Sequence, residues 1–295
     1  MTRYRYDAMV SSSTGTLRLL PRSVPGQIVY RAAIEVAPNP AQTSEKLDVF
    51  GNRVFRMSIG EPHRALRILA TSRVEVERAD PPAPALTPAW EEVRRDAVAS
   101  SALDGDGPAF MLFPSRLVPL HGAITDYAAA SFAPRRAVLE AAFDLACRIR
   151  RDFRYKPEAT DVSTPIAEAF AARAGVCQDF AQIMIAGLRG LGLPACYVSG
   201  YIRTIPPPGR ERLAGADASH AWASVWCGPA FGWIDLDPTN GCFVGDDHIV
   251  VARGRDYADV SPVEGVLLGG PGASRQNMSF GVDVVPQSPE QNRVA

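Results

Sequence analysis

Lysine, cysteine and long apolar runs are all scarce in this 295-residue chain, and each shortage removes a class of explanation. The only lysines are Lys46 and Lys156, so arginine supplies nearly all positive charge, a bias that fits genome composition. Thirty-one basic residues against 32 acidic ones leave a net charge of −1, with no electrostatic claim on nucleic acid or an anionic membrane. The five cysteines are Cys147, Cys177, Cys196, Cys227 and Cys242. Their number is odd and they lack CxxC or other metal-ligand spacing, so neither a disulfide framework nor a metal site is expected, and no cofactor either. No apolar stretch approaches the ~18–20 residues of a membrane helix. The opening MTRYRYDAMV has no apolar h-region, so the expected location is the cytoplasm.

What is present describes a globular protein with a substantial core: 46% hydrophobic and 21% charged residues. Period-two alternation marks TRYRY, LRLLP, QIVYRAAIEVAP, LDVFGNRVFRMSI and LRILATSRVEVER as strands of an antiparallel sandwich. The segment DPPAPALTPAW carries four prolines in eleven residues and cannot continue a sheet. These patterns divide the chain into an N-terminal β domain (1–80), a linker with helical segment (81–130), a core (131–250), and C-terminal strands with a polar tail (251–295).

Within the core, PRRAVLEAAFDLACRIRRDF repeats apolar residues at spacings of three and four. Thr164 reads as an N-cap and Pro165 as the first residue of a helix running to Gly175. A second helix opens at Cys177, its buried stripe being Phe180, Ile183, Met184, Gly187 and Leu188. The stretches ACYVSGYI, SHAWASVWC, FGWIDLDP, VLLGG and FGVDVVPQ read as strands. The loop from Pro206 through Asp217 precedes His220 and is a candidate lid.

Cys177 in RAGVCQDFAQIM stands where a helix begins. A helix N-terminus carries unpaired N–H groups and partial positive charge, which favour thiolate over thiol, and the cysteine's own N–H can serve an oxyanion. A lone cysteine is more often a small buried hydrophobe, so partners decide. Of the four histidines, His63 lies in the β region, His121 near the linker, and His248 after Asp246-Asp247. His220 opens the alternating strand DASHAWASVW. Asp237, in GWIDLDPTNG, follows seventeen residues later across the turn GPAFG, a spacing that sets the two side by side on a hairpin. Asp235 is the competing acid, on the same strand face one pleat away.

These motifs (ATDVSTP, RAGVCQDFAQIMIAGLRGLGLPACYVSGY, SHAWASVW, GWIDLDPTN and HIVVARGRDYADVSPVEG) resemble the transglutaminase-like superfamily, bacterial type. LDVFGNRV and EPHRALRILATSRVEV resemble its N-terminal region. The resemblance implies an α+β fold, with a papain-like core whose cysteine-bearing helix packs on an antiparallel sheet. It implies Cys177 as nucleophile, His220 as base and Asp237 as orienting acid, with a peptide or protein as substrate partner. Gln182 stands where the bacterial pattern often has histidine. The side chain completing the oxyanion site has no clear match; Tyr155 and Gln178 are candidates. Trp222 and Trp233 are weighed as substrate-channel walls against core residues. The expected chemistry is acyl transfer or hydrolysis through a thioester, with peptidase-like hydrolysis favoured over cross-linking. The alternative is a non-catalytic scaffold that binds proteins on the same fold.

Overall fold

The first eighty residues form β1 (Thr2–Leu17), β2 (Gln27–Ala37), β3 (Gln42–Leu47), β4 (Arg53–Ile59) and β5 (His63–Val76) in the computed structural model; the expected strand LRLLP contributes only Leu17, the end of β1, and β3 lies ahead of the run that begins at Leu47. The structure describes residues 1–102, 104–204, 217–270, 272 and 275–287. After the proline-rich linker come α1 (Trp90–Ala99), α2 (Gly122–Ala129) and α3 (Val138–Asp152). The strand pair β6 (Arg154–Tyr155) and β7 (Ala174–Gly175) brackets α4 (Ile166–Ala172) and leads into α5 (Cys177–Gly190). A five-stranded antiparallel sheet follows, built from β8 (Ala195–Ile202), β9 (Ala218–Trp226), β10 (Trp233–Asp237), β11 (Cys242–Phe243) and β12 (His248–Gly254) in the order β11-β10-β9-β8-β12. A short α6 (Tyr257–Val260), then β13 (Val263–Gly269) and β14 (Gln276–Phe280), complete the elements.

The N-terminal domain is a folded-over antiparallel sheet sharing one long strand. The first residues of β1 lie between β5 and β14, and residues 13–17 lie between β4 and β13. Tyr4, Tyr6, Val10 and Leu17 of β1 close one apolar core with Met57, Ile59, Leu66 and Ile68. The C-terminal strands therefore belong to the N-terminal sheet and do not form the separate 251–295 unit expected from sequence. The expected boundary at residue 250 falls inside β12. The second late strand also lies earlier than FGVDVVPQ suggests, at Gln276–Phe280.

In the second domain α5 packs on β8 and β9 with α2 against it. Phe180, Ala181, Ile183, Met184, Ile185, Ala186 and Leu188 are all buried, so the helix is apolar around most of its circumference, as a central helix must be. Burial of each larger side chain among them contributes about 1.5–3 kcal/mol. The α4 helix begins one residue later than its sequence pattern suggests: Pro165 is the N-cap, because the Thr164 hydroxyl instead accepts from the Asp161 N–H at 2.9 Å. It ends at Ala172, before Gly175, where Arg173 turns left-handed at φ 50°. The Arg173 guanidinium then lies over the rings of Tyr127, Phe153 and Phe170.

Candidate active site

The end of α4 and the start of α5 are separated by four residues, so the chain must enter α5 through a fixed turn. Asp179, on the first turn of α5, accepts from the Val176 N–H at 2.8 Å and from the Thr160 hydroxyl at 2.6 Å. A Cβ on Gly175 would stand 2.5 Å from the same carboxylate, so only glycine fits there. The first bond of the helix ladder runs from the Phe180 N–H to the Val176 carbonyl, which leaves the Cys177 N–H outside the ladder. Cys177 is half-buried and presented at this helix start.

The hairpin of β9 and β10 supplies the other two groups. Its register pairs Asp235 with Ser224 and Leu236 with Ala223, which carries Asp237 at the strand end toward His220. His220 Nε2 lies 2.8 Å from Asp237 Oδ2, and both side chains are buried. With Nε2 committed to the carboxylate, Nδ1 is the ring nitrogen left for the thiol. Burial alone would lower the His220 pKa, but hydrogen bonds to Asp237 and Cys177, with their charges, outweigh it and push it up to about 10. Burial would likewise raise Asp237, yet the donors around it hold the carboxyl well below the usual carboxylate range. Those donors are His220, His248 Nε2 at 3.2 Å and Asn240 Nδ2 at 2.6 Å on Oδ2, and the Thr239 and Asn240 N–H groups on Oδ1.

Asp235 is engaged elsewhere. It takes two hydrogen bonds from Arg253 Nη2, at 3.0 and 3.1 Å, and one from Trp222 Nε1 at 3.0 Å. This separates the two aspartates of WIDLD into one that faces His220 and one that neutralises a part-buried guanidinium.

Among the other sequence candidates, Tyr155 pairs with Gly175 across β6 and β7, two residues from Cys177, and is exposed. Partial desolvation of the phenol, with the neighbouring Cys177, raises its pKa even so, which keeps it a proton donor. Gln178 is buried and its amide is turned toward the Val162 carbonyl at 3.5 Å. Trp222 is wholly buried, so it is a core residue and not a substrate wall. Its ring stands against Gly200 and edge-on to His248. Trp233 lies at the far end of β10 from Asp237 and donates to the Asp106 carbonyl. Gln182 is buried in α5 with its Oε1 unpartnered by protein. The lid expectation falls largely on residues 205–216, outside the described residues.

The residue that sequence reasoning missed is His248. Its place in DDHIVV carries no periodic or motif signal toward Asp237, because the approach depends on β12 pairing with β8 rather than with β10. With it, His220, Asp237 and His248 form a group of ligand-type atoms within 4.8 Å of one another. A metal fits poorly there: both imidazoles and the Asn240 amide already donate to one oxygen, and the Gly245 N–H occupies His248 Nδ1. Among the described residues no helix is long and apolar enough to cross a membrane.

Residues 1–75 match the bacterial transglutaminase-like N-terminal region, and residues 125–238 match the transglutaminase-like superfamily core. An uncharacterised protein of Mycobacterium tuberculosis is 43% identical over 292 residues, covering 97% of this chain and 90% of that one. A Pseudomonas aeruginosa protein-glutamine gamma-glutamyltransferase is 35% identical over 88 residues, 30% of this chain and 13% of its own. In structure, a candidate cysteine protease of Cytophaga hutchinsonii shares the fold with a TM-score of 0.68 at 22% identity, covering 97% of this chain and 92% of that one.

Proposed function

Because the chain belongs to the transglutaminase-like superfamily, in its bacterial form with the characteristic N-terminal region, we propose that Cys177, His220 and Asp237 perform thiol-dependent acyl transfer or hydrolysis on peptide or glutamine carboxamide bonds. The observation that carries this reading is the buried His220–Asp237 hydrogen bond at 2.8 Å, which leaves Nδ1 for the thiol at the start of α5. A histidine raised to about 10 is an imidazolium at neutral pH and carries the proton that the leaving nitrogen needs.

The thiolate attacks the carbonyl carbon and forms a C–S bond. The carbonyl oxygen takes the electron pair and is met by the Cys177 N–H, with the Tyr155 phenol proposed as second donor. The C–N bond then breaks, the His220 imidazolium gives its proton to the leaving nitrogen, and a thioester remains. Neutral His220 next takes a proton from water or an incoming amine, which displaces the thiolate. Asp237 keeps the imidazole oriented throughout and balances its charge.

Hydrolysis is favoured slightly over cross-linking, since an intracellular cross-linker with broad reach would damage its own host. Five free thiols suit the reducing cytoplasm that this reading assumes. The test is mass spectrometry of glutamine-containing peptides incubated with the protein and excess hydroxylamine, beside Cys177→Ala. Cut peptide bonds or hydroxamate at glutamine are expected with the natural chain and neither with the variant. Equal turnover by Cys177→Ala would remove the proposal.

A further inference from the structure

The fourth histidine stands in an arrangement that the triad chemistry alone does not call for. His248 is buried, and its Nε2 lies 3.2 Å from the oxygen of Asp237 that faces His220. Its other ring nitrogen, Nδ1, accepts from the Gly245 N–H at 3.3 Å. A nitrogen that accepts carries no proton, so the ring proton sits on Nε2 and His248 is a donor to Asp237. Two imidazoles thus converge on one carboxylate oxygen, one facing the thiol and one facing away from it.

The position of His248 is set from outside the catalytic domain. It opens β12, the edge strand of the five-stranded sheet, whose outward backbone groups would otherwise be open. The N-terminal domain closes them with side-chain amides. Gln27 accepts from the Val250 N–H and donates to the Val250 carbonyl, both at 2.8 Å. Asn52 does the same for Arg253, at 2.8 and 2.7 Å. Arg78, just past β5, donates to the His248 carbonyl at 3.1 Å and to the Gly245 carbonyl at 3.3 Å. It therefore grips both the residue that contacts Asp237 and the residue that fixes its tautomer.

We propose that His248 is a positioning residue of this site, holding the Asp237 carboxylate toward His220, and that the N-terminal domain holds His248 in place through Gln27 and Arg78. The inference rests on the triad reading above. It gives the N-terminal domain a defined role, because without that domain the edge strand that carries His248 is unsupported. The geometry requires an N–H donor at His248 Nε2 and little else of the imidazole, so glutamine should replace it and leucine should not.

The test is the rate of Cys177 alkylation by iodoacetamide at pH 7 on the full-length chain, followed by mass spectrometry, which needs no knowledge of the substrate. His248→Leu should slow alkylation at least tenfold, His248→Gln should restore it to within about threefold of the natural chain, and Arg78→Met should slow it severalfold. In a 15N-histidine NMR spectrum at the same pH, His248 should show a protonated Nε2 and an unprotonated Nδ1. The proposal is overturned if His248→Leu reacts like the natural chain, if His248→Gln is as slow as His248→Leu, or if His248 carries its proton on Nδ1. Unchanged reactivity in Arg78→Met would remove the role given to the N-terminal domain. His220→Ala serves as the control: if it also reacts normally, the triad reading fails, whereas a slow His220→Ala beside a normal His248→Leu sinks only this inference.

Discussion

Two aspartates two residues apart do opposite work, and the reason lies in what each carboxylate touches. Asp235 is held against Arg253 and Trp222, so its charge is consumed in neutralising a guanidinium that is only 16% exposed. Removing that charge leaves the largely enclosed Arg253 cation without its partner, at a cost of about 1–3 kcal/mol, less than for a fully buried pair because the guanidinium keeps some solvent. Asp237 instead meets two imidazoles and a turn of backbone N–H groups. Changing it to asparagine keeps the shape but removes the charge beside His220, and in the proposed triad that loss should cost roughly 10³–10⁴ in rate. Asp235→Asn should therefore lower the urea midpoint while turnover in the hydroxylamine assay, measured well below that midpoint, stays within a few-fold. Asp237→Asn should lose turnover and keep most of its stability. The opposite pattern would mean that Asp235 is the acid of the site. Sequence could rank these two only by resemblance, since strand alternation sets both on one face; the partner that separates them, Arg253, lies eighteen residues further along.

At the level of elements, the α5 start, the β9–β10 hairpin and the proline-rich linker were legible because each is local: a period, a turn, a capping acid. The helix boundary at Thr164 was not, because Asp161 draws the threonine hydroxyl into its own turn, and side-chain competition of that kind leaves no periodic trace. Nor was Trp222, whose alternation in SHAWASVW suits a channel wall and a core position equally. Its burial is decided by Gly200 on the neighbouring strand, which lies opposite His220 in the β8–β9 register. A Cβ at Gly200 would fall 2.3 Å from both Trp222 Cη2 and the Ile249 carbonyl oxygen, contacts that no real side chain tolerates. Gly200→Ala must then push β8 away from β12 or tilt the indole that stands between Asp235 and His248. Overpacking of this sort costs about 1–3 kcal/mol. The expected result is a lowered thermal midpoint together with slower alkylation of Cys177; an unchanged midpoint would show that the indole has room the structure does not give it.

At the scale of the whole molecule, the chain closes on itself. Its last strands pair with its first, β13 against residues 10–17 and β14 against residues 2–6 of β1, so the second domain is inserted between two parts of one β sheet. Sequence reading divided the chain at its composition shifts and so separated these parts, because pairing as distant as Leu17 with Val263 and Thr2 with Phe280 has no local signature. Ending the chain at Ser261 would strip β1 of one neighbour along both halves and expose the edge of the core that Val263 and Leu267 cover. Lost ladder bonds at about 1 kcal/mol each, with the partial burial of those two side chains, add up to several kcal/mol. For domains of this size 1 kcal/mol moves the thermal midpoint by about 2–4 °C, so a fall of roughly 10 °C or more is expected. The loss should not stay in the N-terminal sheet. Gln27 and Arg78 reach β12 from elements of that sheet, so loosening it should also slow the reaction of Cys177 with iodoacetamide at temperatures where far-UV circular dichroism shows the helices intact. A truncated chain with a lowered midpoint but natural Cys177 reactivity would mean that the two domains share a chain without sharing a mechanism.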